Sequence, residues 1–298
     1  MAKLLPVVTP RADGDDVIAD LEAVARRAAV QMSAENFPVA LRVLPPRVRA
    51  DLESVYTFAR FVDDVGDEAP GDSARRLVLL AAVDRDLDAL SVQRSTLSPV
   101  VGLRDVVRRR GVPLDPFHDL VAANRADQSV TAYQTFDDLL GYCRLSAAPV
   151  GRIVLHVAGA ATQTNVADSD AVCAALQVLE HCQDVREDAR VGRVYLPALD
   201  LVEAGVDPDE LSGTATSPAL RRVVAQQVQR SRELLRAGPP LVRRLRGWAR
   251  LAVAGYVAGG LATAEALEAA DFDVLGQAVR PGKAATARHA LRLAGRPW

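Results

Sequence analysis

Aromatic side chains are scarce in this sequence, 4% of 298 residues, which argues against a base-stacking platform for single-stranded nucleic acid. A surplus of charge is missing as well. With 36 basic residues against 38 acidic ones the formal net charge is −2, so the chain lacks the basic excess that a nucleic-acid partner demands. Cysteine occurs only at Cys143, Cys173 and Cys182. An odd count without paired spacing excludes a disulfide framework or a thiolate metal site, and suits buried apolar positions in a reducing cytoplasm. The longest uncharged runs, residues 153–167 and 251–264, fall short of the roughly 20 residues that cross a bilayer and read as buried helices. The opening MAKLLPVVTPRADGDD breaks on proline, glycine and aspartate after a short apolar run. That predicts a flexible tail over residues 1–15 rather than a signal peptide.

Strand-like alternation is also absent over more than a few residues, and no strand precedes the glycines of AGYVAGG (254–260) to make a nucleotide loop. Those glycines read as close helix packing. What remains is helical periodicity from about Asp16 onward, which predicts an all-α fold in a single domain over residues 16–298. Helices are expected over 16–30, 33–45 with a cap at Ser33, 47–68, 72–90, 98–110, 115–128, 136–146, 150–164, 169–190, 218–237, 241–267 and 284–294. Asp84, Asp86 and Asp88 alternate rather than sharing a face and read as solvated surface. The basic run Arg108–Arg110 suits the C-terminal end of a helix dipole.

Two stretches stand out. In LQVLEHCQDVREDARVGRVYLP (176–197), Gln177, Glu180, Asp184 and Asp188 follow steps of three, four and four. On a helix they share one face. Like charges at i,i+4 cost an isolated helix about 0.2–0.5 kcal/mol per pair, so repeated repulsion implies a nearby cation. In YTFARFVDDVGDE (56–68), Tyr56, Arg60, Asp63 and Asp67 are spaced four, three and four, with Asp64 about 80° off the stripe. Two acidic faces opposed across a pocket suit Mg²⁺, which takes one or two carboxylates and completes its shell with water and phosphate. His156 and His181 read as packed core groups.

These stretches resemble the paired aspartate-rich motifs of the squalene and phytoene synthase family. ENFPVALRVLP (35–45), YCRLSAAPVGRIVLH (142–156) and DFDVLGQAVRPGK (271–283) carry the likeness along nearly the whole chain. ENFPV, the SAxPVGR run and Gln183 before Asp184 most resemble the family's hydroxysqualene synthase branch of bacterial hopanoid biosynthesis. Many relatives have arginine in place of Gln183. Two positions depart from the pattern: Glu180 stands where the family usually has asparagine, and Ala148 where the branch has a larger polar residue.

The resemblance implies an isoprenoid synthase helical bundle with a central cavity, Mg²⁺ as cofactor, and presqualene diphosphate as substrate, converted to hydroxysqualene without a reductant. Asp63, Asp67, Glu180, Asp184 and Asp188 would hold metal. Asn36, Phe37, Arg60, Gln177, Arg193 and Tyr195 would bind the diphosphate end, while Tyr142 and Tyr56 would border the reacting carbons and Gln183 would position water. It also implies a cytoplasmic enzyme without a nucleic-acid partner, and leaves room for peripheral membrane association and for hand-over from other enzymes of the same pathway. Two other readings stay open: a synthase condensing two prenyl diphosphates, and a non-catalytic prenyl-lipid binding subunit.

Overall fold

The computed structural model describes residues 14–34 and 44–295. The sites expected at Asn36 and Phe37 lie outside the described residues. Among those described, helix is the only extended regular structure, and the one β contact is an isolated parallel bridge, Ala132 to Val194. No helix there is long and apolar enough to cross a membrane.

The first half of the chain runs α1 (Gly14–Ala34), α2 (Pro46–Asp67), α3 (Ser73–Leu90), α4 (Ser98–Gly102), α5 (Arg104–Arg110) and α6 (Asp115–Ala126). The second runs α7 (Phe136–Ser146), α8 (Ala148–Val157), α9 (Gln163–Gln183), α10 (Val185–Arg190), α11 (Ala198–Ala204), α12 (Pro218–Leu234), α13 (Gly238–Arg244), α14 (Gly247–Ala269) and α15 (Lys283–Ala294). Local chemistry sets many of the boundaries. Pro46 opens α2, where a missing N–H costs nothing. Asp72 accepts from the Arg75 N–H to start α3, and Thr135 and Asp138 close a reciprocal capping box on α7. Gly111, at φ +63°, ends α5 in the left-handed region.

Several expected helices are broken. The run 98–110 divides at Leu103 into α4 and α5. The run 150–164 stops at Val157, because Thr162 accepts from the Asn165 N–H and starts α9 instead. The run 241–267 divides at the extended Leu245, with Gly247 at φ +55° reopening the helix. α1 continues through Ala34, past the cap expected at Ser33. The segment 251–264 is not wholly buried, since Leu251 and Tyr256 are exposed on α14. Of the glycines in that segment, Gly260 is the tightly packed one: a Cβ there would lie 2.7 Å from Leu176, whereas Gly255 and Gly259 have open space.

Apolar packing forms two clusters. One joins α1–α6 and includes Phe58, Phe61 and Phe117, all fully buried, with Phe58 and Phe117 edge to face at 5.4 Å. The other gathers α7, α9 and the helices that follow. Each such side chain contributes about 1.5–3 kcal/mol by burial. α2 belongs to the first cluster and α9 to the second, so the seam between clusters sets their acidic faces opposite each other.

The surface charges do more than meet water or a helix dipole. Asp84 meets His118 at 2.7 Å and Arg125 at 3.3 Å, and Asp86 accepts from the backbone N–H groups of Thr96 and Leu97. The last turn of α5 clamps a buried carboxylate of α2: Arg109 and Arg110 lie 2.9 and 2.6 Å from Asp51, which is 1% exposed. Asp51→Ala breaks both contacts at once, with Arg109 keeping only Asp105, at 3.1 Å. It should lower the melting temperature by roughly 5 °C in circular dichroism. Arg109→Ala, which keeps the Arg110 contact, should cost less.

Candidate active site

Asp63 and Asp67 on α2 face Glu180 on α9, Asp184 at its end and Asp188 on α10 across a cavity of about 210 Å³. The helix expected over 169–190 is interrupted, because Asp184 leaves helical geometry at φ −104° and ψ 16°. The face survives the break. The Asp188 N–H still bonds the Asp184 carbonyl at 2.8 Å, and Gln177, Glu180, Asp184 and Asp188 all line the cavity.

Protein surrounds three of these carboxylates, Asp63, Glu180 and Asp184, closely enough to disfavour their charge. Burial raises Asp63 to about 6, opposed by a hydrogen bond from Asn124 at 3.0 Å and reinforced by Asp67. Burial also raises Glu180, where Asp184 and Asp188 add to the rise against the pull of His181. Asp184 is raised by burial and then by Asp188 and Glu187. Such a cluster of disfavoured negative charge favours a bound cation.

The segment after α10 supplies the opposite charge. Arg193 donates to Asp67 at 2.8 Å. The chain leaves α10 along a neighbouring segment: the Val194 N–H bonds the Thr131 carbonyl and the Ala198 N–H that of Tyr133, both at 2.8 Å. This pairing carries Tyr195 into an aromatic group with Tyr133 and Tyr142, ring centres 5.3–5.9 Å apart. His181 stacks on Tyr195 at 3.7 Å, and its Nδ1 lies 3.6 Å from Asp188. It therefore belongs to the cavity wall rather than being only a packed core group. Tyr142 is buried and donates to Asp127 at 2.9 Å. Burial moves the phenols of Tyr142 and Tyr195 upward, Tyr195 to about 12, so both are donors at neutral pH.

Other expected residues sit elsewhere. Arg60 Nε donates to Asp64 Oδ1 at 2.8 Å, and Arg60 is not among the residues lining the cavity. Asp64 lies one residue beyond Asp63, buried, and holds the guanidinium on that side. Tyr56 is half-buried on α2 and does not line the cavity either. Gln183 does not face the cavity. Its amide donates to the Val279 carbonyl, and its side chain lines a neighbouring polar cavity with Arg280. Gln183 is the last residue of α9, and at 100° per residue it stands to one side of the face that carries Gln177, Glu180 and Asp184. Sequence reasoning missed Asp127 and Asn124, which stand one turn apart on and just past α6. Their only sequence signal is a polar pair at i,i+3, common on any surface helix.

A second cavity of about 250 Å³ adjoins this one. It is lined by Val150, Val154, Leu155, Val172, Leu176, Leu241, Val253 and other small or apolar residues, and it shares Ser146, Gln177 and Glu180 with the acidic cavity. Ala148 is 1% exposed and lines neither.

An all-helical bundle with acidic helix faces opposed across a cavity, and an apolar cavity beside it, has the architecture of an isoprenoid synthase. Residues 30–285 match the family model for squalene/phytoene synthase, and the chain belongs to that family of enzymes. It is 37% identical over 216 residues to a hydroxysqualene synthase of Rhodopseudomonas palustris, covering 72% of each chain. It is 35% identical over 213 residues to one of Sinorhizobium fredii, covering 71% of this chain and 72% of that one. Among solved structures it is similar to squalene synthase HpnC from Alicyclobacillus acidocaldarius. The TM-score is 0.77 at 34% identity, covering 87% of this chain and 96% of that chain.

Proposed function

We propose that the chain converts presqualene diphosphate and water to hydroxysqualene and diphosphate, with Mg²⁺ as cofactor. The observation that carries this reading is the junction of an acidic cavity with an apolar one through Ser146, Gln177 and Glu180. It matches an amphiphile with a polyanionic head and hydrocarbon tails. The hydroxysqualene synthase relatives favour the water-quenched product over condensation.

The donor set fits the metal. All five carboxylates offer hard oxygen ligands, divided between two walls. Among the described residues no three acidic, histidine or cysteine side chains converge into a closed cage, as suits an ion that draws the rest of its shell from water and substrate phosphate. Bound there, Mg²⁺ supplies charge neutralisation to the leaving diphosphate, worth several kcal/mol of barrier.

The chain's own residues do the rest. Asp63 and Asp67 hold one side of the head group's counter-charge, and Glu180, Asp184 and Asp188 the other. Arg193, positioned by Asp67, presents a guanidinium suited to phosphate oxygens. Asp127 fixes the phenol of Tyr142, whose ring then borders the reacting carbons, where its π face stabilises positive charge. The apolar walls keep bulk water from the hydrocarbon, so that capture is confined to the polar end. Gln183, directed to Val279, acts from outside the cavity.

The test is turnover of presqualene diphosphate in ¹⁸O-labelled water, with and without NADPH. Label in a C30 alcohol, unaffected by NADPH, is the expected result. Squalene formed only with NADPH would move the chain to reductive chemistry. Consumption of farnesyl diphosphate with presqualene diphosphate untouched would instead make it a condensing synthase.

A further inference from the structure

The corner where α13, α14 and α15 meet holds a cavity of about 170 Å³ that shares no residue with the acidic, apolar or polar ones. It is lined by Pro239 and Arg243 of α13, Leu261 of α14, and His289, Arg292 and Leu293 of α15. Leu261 and Leu293 pack against the second apolar cluster, which anchors the floor in the core. Both arginines are exposed and the other four residues half-buried, so the charged end of the cavity meets water.

The acids of α14 are engaged elsewhere. Glu265 is held by Arg288 and His289 at 2.5 and 2.8 Å, and Glu268 by Arg232 at 2.7 Å. Among the described residues neither the Arg243 nor the Arg292 guanidinium has a hydrogen-bond or ion-pair partner. Two free guanidinium groups, brought to one cavity by different helices, form the fork-shaped donor set that phosphate oxygens take best. α15 is also the helix that most lacks a tie. None of its residues is buried, and it is joined to α14 through Glu265 and through Arg250, which donates to the Ala294 carbonyl at 3.1 Å.

We infer that this corner binds a small organic phosphate. The phosphate or diphosphate sits between Arg243 and Arg292, and a short hydrocarbon group lies on Pro239, Leu261 and Leu293. The volume sets the size of that group. A cavity of roughly 150 Å³ takes a benzene ring, so about five or six carbons fill this one and a long prenyl chain does not. The bound anion links α13 to α15 and holds the last helix against the bundle.

The test is calorimetric titration of the full chain with dimethylallyl diphosphate in chelator, which removes the divalent cation a diphosphate needs in the acidic cavity. The parent should bind. Arg243→Gln and Arg292→Gln should each weaken binding at least tenfold with circular dichroism unchanged, and Asp63→Asn should bind as the parent does. Amide hydrogen exchange across α15 should slow at least threefold with the compound present, in the parent and not in the two arginine variants. Absence of binding by the parent at millimolar concentration overturns the inference, as does parental affinity in both arginine variants. Inorganic diphosphate bound as tightly as dimethylallyl diphosphate overturns it too, by leaving a general anion site without use for the apolar floor. Binding lost in Asp63→Asn would return the compound to the acidic cavity and overturn it likewise. No arm uses turnover, so each result stands whether or not the proposed reaction does.

Discussion

Asp63→Asn and Asp184→Asn should each lose roughly a thousandfold in turnover, about 4 kcal/mol of barrier, while both proteins keep their helical circular dichroism. The two residues stand on opposite walls of the acidic cavity, so either change removes one side of the counter-charge. An amide keeps the volume of the carboxylate and one acceptor oxygen, which spares the fold. Stability should move the other way from activity. Burial raises Asp63 to about 6 from an ordinary value near 3.8, so its ionised form opposes folding. That cost is absent below about pH 4, grows as the pH rises through 6, and is complete above it. In chelator at pH 7.5 Asp63→Asn should therefore melt about 1–3 °C above the parent, allowing for screening by cavity water. At pH 4 the difference should vanish. Thermal melts at the two pH values, with product assays on the same preparations, decide both halves. Near-parental turnover in both variants would remove the metal roles.

Gly66→Ala is the second change with a large expected effect, although Gly66 does not itself line the cavity. A Cβ at Gly66 would lie 2.2 Å from Asn124 Oδ1, a distance side chains do not tolerate. Asn124 must then swing away from α2, and with it goes its hydrogen bond to Asp63. Gln128, which donates to the Gly66 carbonyl at 3.0 Å, loses its seat as well. Overpacking of this kind costs about 1–3 kcal/mol. The melting temperature should fall by several degrees, and turnover should fall at least tenfold because Asp63 is no longer oriented. Asn124→Ala in the Gly66→Ala background removes the clash and should recover the melting temperature but not the rate. Recovery of both would show that Asn124 does not position Asp63.

The parts of this site legible in the sequence are those that depend on spacing within one helix. The two acidic faces follow from steps of three and four, and they survive even where α9 stops. What the sequence withheld depends on contacts between distant segments. Nothing in HCQDVRE marks Asp184 as a helix break, since neither glycine nor proline stands there, and nothing local marks Val279, 96 residues on, as the partner of Gln183. Asp127 acquires its role only because α6 ends against Tyr142 of α7 and against Tyr195, 68 residues further on. Arg60 was read as a phosphate contact because Asp63 shares its stripe, but within the same helix its Nε donates to Asp64 one turn on, a pairing that i,i+4 spacing alone allowed. The arginines of α5 read as complements to their own helix dipole, when their partner is Asp51, 58 and 59 residues earlier.

Glu180 borders three cavities at once: the acidic one, the apolar one and the polar one beside Arg280. It is a point of pleiotropy. A substitution there would alter the acidic cavity, the apolar cavity and the wall shared with the C-terminal segment together, so no single property is tuned in isolation. Val150 and Val154 border the apolar cavity alone. On the proposed reaction, variation in product length would be cheapest at those valines, with residue 180 left fixed.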